Sequence, residues 1–164
     1  MENNTIIIQK KYRRLIVIKC FMVACLFLQT IIVKSQVETL TVISNLNGAP
    51  GAMKLSELKS IFMGEKQRWK TGIKITLALM KTNTAVGKNT SLKLYDMSGD
   101  ELNKFWLALV FQGKVEPPHF FNNTSELENF VAQNPGAIGV IDKPFLTNNE
   151  IKIVAIDGKI QLNL

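Results

Sequence analysis

Cysteine is nearly missing from this 164-residue chain, and its two examples, Cys20 and Cys25, both fall within the first 35 residues. The remainder can form no disulfide within itself and no cysteine metal site. Histidine is scarcer still. His119 is the only one, which excludes the usual zinc ligand sets, and no metal site is expected. There is no Gly-x-Ser-x-Gly elbow to supply a serine nucleophile, so a hydrolase triad has no sequence support. Charge of one sign is also lacking once the first segment is set aside. The formal net charge is +7, but residues 1–35 hold six of the 20 basic and one of the 13 acidic side chains, leaving +2 for the rest. That balance offers no concentrated basic face to a nucleic acid. Residues 36–164 contain no repeat, linker or low-complexity tract, and are long enough for one domain with one core.

What is there begins with a leader pattern. Lys10, Lys11, Arg13, Arg14 and Lys19 precede a nearly unbroken apolar run at residues 20–33. Its 14 residues fall short of the roughly 20 that a membrane-spanning helix needs, and match a signal-peptide core. The pattern predicts a signal peptide over residues 1–35, cleaved after Ser35, and an exported domain over 36–164 that resides in the periplasm or cell envelope. Lipidation at Cys25 and an uncleaved leader are the alternatives, and the uncleaved leader would be the only membrane contact.

Along the exported part, residues 38–44 are rich in β-branched side chains and predict a strand. Leu55, Leu58, Ile61 and Phe62 recur at helical spacing, and Gly64 is placed to end that helix. Residues 73–80 predict a strand whose second half is buried on both faces. Residues 100–110 carry Leu102, Phe105, Trp106, Leu109 and Val110 on one stripe, with Ser98 or Asp100 as cap. Pro117-Pro118 predicts an extended loop that includes His119. A helix follows from Ser125 to about Gln133, then strands over 137–141 and 150–156. Alternating strands and helices predict a layered α/β domain, a mostly parallel sheet with helices on both faces.

Chemistry concentrates after the second long strand. Thr82, Asn83 and Thr84 follow Lys81 and open a helix, which offers backbone N–H groups and the positive end of a helix dipole to an anion. Asn83 or Thr84 serving merely as helix cap explains the same residues. Residues 86–90, Val-Gly-Lys-Asn-Thr, lack the first glycine and the post-lysine hydroxyl of a nucleotide P-loop. Trp106 belongs to an apolar stripe, whereas Trp69 ends a lysine-rich loop and is expected to be half exposed. Asn122 and Asn123 stand in glycosylation sequons, relevant only in a eukaryotic secretory pathway.

Four ordered segments resemble the phosphate-type periplasmic solute-binding proteins of ABC importers, in a shortened form. They are VISNLNG at the first strand, KLSELKSIFMGEKQRW, the stretch from Phe105-Trp106 through VFQGKVEPP, and NPGAIGVID, together spanning about residues 38–142. The resemblance implies a periplasmic-binding-protein-like (type II) fold, here a single lobe, since the larger relatives carry a further N-terminal lobe. It implies a non-enzymatic protein without cofactors, binding phosphate or a related oxyanion for ABC import, with a permease or envelope protein as partner. The family's anion site lies at a helix start marked by Ser-Gly-Thr. Here that place is Lys81, Thr82, Asn83 and Thr84, with the hydroxyls kept and the preceding arginine absent. A lobe that has lost its ligand and acts as an envelope interaction module is the alternative, with Trp69 and the Phe120-Phe121 pair as its exposed apolar patch.

Overall fold

A computed structural model describes residues 39–142 and 148–162. The leader, its cleavage point and Cys25 lie outside the described residues. In chain order the elements are β1 (Leu40–Asn45), β2 (Ala52–Met53), α1 (Leu55–Phe62), β3 (Thr76–Met80), α2 (Ala85–Tyr95), α3 (Gly99–Phe111), β4 (His119–Phe121), α4 (Thr124–Gln133), β5 (Ala137–Ile141), β6 (Ile151–Ile153), β7 (Ala155–Ile156) and β8 (Gln161–Leu162).

The main sheet has the order β4-β3-β5-β1-β6, and β8 also pairs with β1. Strands β4, β3 and β5 form a parallel core, while β1 runs antiparallel to β5, β6 and β8. Parallel neighbours need a long crossover, and α2 with α3 supplies it between β3 and β4, as α4 does between β4 and β5. The first crossover steps outward from β3 and the second steps back across it. Right-handed connections therefore put α2 and α3 on one face of the sheet and α4 on the other. The register agrees. Ala78, Gly139 and Ile43 share a face, and a Cβ added to Gly139 would lie 2.9 Å from a methyl of Leu127 in α4. Leu77, Leu79, Ile138 and Val140 point the other way and are buried.

Local signals explain most element ends. Ser98 and Glu101 form a capping box at α3: the Ser98 N–H donates to Glu101 Oε2 at 2.7 Å and the Glu101 N–H to Ser98 Oγ at 3.3 Å. The hydrogen bond from the Ser98 backbone is the main reason the Glu101 carboxyl titrates below its ordinary range. Gly64, at φ 77°, lets the chain leave α1 in a left-handed turn. Three helices then meet through aromatic edges, with Tyr95 of α2 set 6.1 Å from Phe62, 6.4 Å from Phe105 and 6.5 Å from Trp106 between ring centroids. Burial pushes the Tyr95 phenol well above its ordinary value.

Four expectations change. Trp69 is buried at 4 % exposure, because its indole N–H reaches Gly136 O at 3.0 Å. The second long strand begins at Thr76 instead of Ile73, since Lys74 bridges back to Arg68. His119 belongs to a strand, paired with Ala78, where a loop is predicted. The last predicted strand is two: β6 pairs with β1, the Val154 N–H donates to Val42 O, and β7 then pairs with β2.

Candidate functional site

Only four residues separate the end of β3 from the start of α2. The Lys81 N–H donates to Phe121 O at 2.9 Å, the last rung between β3 and β4. Thr84 then caps the helix: its Oγ1 accepts from the Gly87 N–H at 3.0 Å and donates to Lys81 O at 2.7 Å. The Thr84 N–H also donates to Lys81 O, at 2.9 Å. This turn is tight enough that a Cβ on Gly87 would lie 2.0 Å from Lys81 O and 2.7 Å from Met80 O. Only glycine lets the first turn of α2 rest on the end of β3.

Thr82 is half-buried, and its Oγ1 accepts from Asn103 Nδ2 of α3 at 3.3 Å. Gly99, at the start of α3, lies against it, with a hypothetical Cβ only 2.8 Å from the Thr82 Cβ. Asn83 and Lys81 are exposed. The first turn of α2 carries no acidic residue. The Ala85 and Val86 N–H groups, at its first two positions, have no acceptor within the helix, and the positive end of the helix dipole faces the same side. The four residues singled out in the sequence thus occupy one turn. The Thr84 side chain is spent on the cap, whereas Asn83 and Lys81 face outward.

The same edge collects a second helix start. Asn123 caps α4 by accepting from the Glu126 N–H at 2.9 Å, and Thr124 Oγ1 donates to Asp142 Oδ1, just past β5, at 3.3 Å. Two helix N-termini therefore rise from the carboxyl ends of the adjacent parallel strands β3 and β4, the edge where open α/β sheets hold their ligands. Sequence reasoning missed Asn103 and Asp142, whose partners Thr82 and Thr124 lie 21 and 18 residues away, and did not assign Asn123 as the cap of α4 although Glu126 is only three residues on. His119 does not join them: its ring packs on Phe130 at 4.5 Å, and Glu116 is paired with Lys74. Among the described residues, no group of three or more His, Cys, Asp or Glu side chains is arranged to hold a metal ion, and no helix is long and apolar enough to cross a membrane.

No family model matches this sequence, and no curated protein matches it. Solved structures do match in fold. An ABC-type phosphate transport receptor from Vibrio cholerae aligns with a TM-score of 0.58 at 14 % identity, over 76 % of this chain and 48 % of that one. PstS from Borrelia burgdorferi aligns with a TM-score of 0.56 at 17 % identity, over 74 % of this chain and 48 % of that one. The likeness is one of fold: an α/β arrangement like that of phosphate-type binding proteins, over one lobe-sized region. This chain spans about half the length of the structures it matches.

Proposed function

We propose that this chain is an exported solute-binding lobe that takes phosphate or a related oxyanion at the start of α2 and serves ABC import, without catalysis. The observation that carries the reading is the seating of the α2 N-terminus directly on the carboxyl end of β3, which Gly87 alone permits. Such a turn presents backbone N–H groups and a positive dipole end to an anion without any reorganisation. Thr82 accepts from Asn103 and so keeps its own hydroxyl proton for a ligand. Asn83 adds an exposed amide and Lys81 a charge, while Thr84 holds the turn that aims them. One lobe leaves such a site open on a side, and a second wall from a permease or another envelope protein would enclose the anion.

The test is a thermal melt of the full chain with phosphate, sulfate or chloride at matched ionic strength. A site at a hundred times its Kd adds about 2.7 kcal/mol, several degrees for a chain of this size. The reading expects a rise specific to phosphate or another tetrahedral oxyanion, lost in the Thr82→Ala/Asn83→Ala double variant. No shift with any anion, in a protein that still melts cooperatively, refutes it.

That second outcome would favour an envelope interaction module, for which there is a specific observation. Trp69 is buried and contributes nothing to a patch. However, Leu107 is 58 % exposed, Phe111 82 % and Phe120 36 %, with Leu107 and Phe111 one helical turn apart on α3. Leu107 and Phe120 line one groove with Val110, Pro117 and Pro118. Exposed clusters of this kind mark contact surfaces.

A further inference from the structure

The opposite edge of the sheet, where β1 ends and β3 and β5 begin, holds an open cleft of about 550 Å³. That size is within the roughly 300–1,000 Å³ of small-molecule sites. One wall is the turn after β1, with Leu46, Ala49 and Pro50, and the other is the bend before β3, with Trp69, Lys70 and Thr71. Both walls are held in place. Asn45 Oδ1 accepts from the Asn47 N–H at 2.9 Å and Ser44 Oγ from the Ala49 N–H at 3.1 Å, which fixes the first turn. The indole of Trp69 is anchored to Gly136 O, which fixes the second.

The charges are unequal. Lys66, Lys70 and Lys152 line the cleft against a single carboxylate, Glu57. Lys66 is neutralised by its ion pair with Glu57 and lies 5.9 Å from the centre of the Trp69 ring. Lys152 Nζ donates to Leu46 O at 3.0 Å, which spends one of its three protons. Lys70 makes no ion pair or hydrogen bond among the described residues, and Thr71, the next residue in the chain, also lines the cleft. Among the described residues Lys70 and Lys152 both lack a carboxylate partner, but Lys152 is held on the Leu46 carbonyl, so an apolar wall with a single ammonium free of any hydrogen bond suits the carboxylate of a monoanion at Lys70.

We infer that this cleft binds a small amphipathic monoanion, a carboxylate on an aromatic or branched apolar body, with the carboxylate at Lys70 and Thr71 and the body against the exposed Leu46, Pro50 and Ala52. The site is at the far edge of the sheet from Thr82 and Asn83 and does not depend on the oxyanion reading.

Calorimetric titration of the full chain with 2-naphthoate, 2-naphthylmethanol and acetate tests the inference. Naphthoate should bind at submillimolar concentration, with the neutral alcohol and the bodiless acetate each at least tenfold weaker. Lys70→Glu, at an exposed position, should weaken naphthoate at least tenfold and leave the alcohol unchanged. Ala52→Trp, which adds bulk at the exposed rim, should weaken both. Circular dichroism confirms that each variant is folded. Absence of naphthoate binding at millimolar concentration, equal binding of the alcohol, or naphthoate binding unmoved by either variant overturns the proposal.

Discussion

Glycine in a helix is ordinarily a weakness, and replacing it with alanine ordinarily stabilises by up to about 1 kcal/mol. At Gly87 the sign should reverse. The added methyl would sit 2.0 Å from Lys81 O and 2.6 Å from the Lys81 carbonyl carbon. Both are backbone atoms at the end of a core strand, so no rotamer change can clear them. The helix start must lift by more than 1 Å, since ordinary carbon–oxygen contact lies well above 3 Å. Overpacking of this kind costs about 1–3 kcal/mol. Lifting also strains the three bonds of the Thr84 cap, worth about 1 kcal/mol together with the cap itself. Against these stands the helix-propensity gain of about 1 kcal/mol. The net expectation for Gly87→Ala is a loss of about 2 kcal/mol, or a fall in Tm of roughly 6–10 °C at about 3–5 °C per kcal/mol. Urea melts of the full chain followed by circular dichroism read it directly, with midpoint lowered and slope unchanged. Gly51→Ala is the control: nothing lies within 4 Å of its added methyl, and it should be neutral or stabilising by a few tenths of a kcal/mol. If Gly87→Ala matches that control, the helix start does not rest on the strand and the proposed anion turn loses its basis.

Asn45→Ala should destabilise by about 3 kcal/mol in the same melts. The buried amide donates to Val131 O at 3.0 Å and Ala132 O at 2.8 Å, so its removal strands two carbonyls near the end of α4, at about 1–3 kcal/mol for each such group; a loss under 1 kcal/mol would show that water replaces it. Acid stability should respond to Glu101, whose folded-state carboxyl is held below its ordinary value of 4.5, first by the Ser98 backbone hydrogen bond. A depressed carboxylate contributes in full above that value and loses its contribution as pH falls through the lower folded-state value. Melts of Glu101→Gln should therefore lose less stability than the parent between about pH 5 and pH 3; parallel curves would refute the assignment.

Some of this protein was legible in local sequence because the determinants of those parts lie within a few residues of each other. The α3 capping box is Ser98 and Glu101, the α1 stripe is Leu58, Ile61 and Phe62, and the cap of α2 is Thr84 with Gly87. Each is a pattern of i to i+3 or i+4 contacts, encoded once the chain turns. The alternation of strands and helices likewise sufficed for an α/β layer with a parallel core, since a helix is what a parallel crossover requires. The turn after Met80 was legible too, as small polar residues between a buried strand and a helix.

Tertiary structure decided what depends on partners far along the chain. His119 to Phe121 follow two prolines and carry no strand pattern, and they become β4 because the open edge of β3 supplies a ladder. Trp69 looked half exposed beside lysines and is buried because Gly136, 67 residues on, offers its carbonyl. The α1 helix has no local side-chain cap; Asp157, 102 residues away, accepts from the Leu55 N–H at 3.4 Å. Thr82 acquired Asn103 in the same way, and the cleft at the far edge exists only because the turn after β1 and the bend before β3 converge there. In each case the energy comes from a hydrogen bond or contact whose second half no local window contains, so sequence periodicity could state the need for a partner but not its identity.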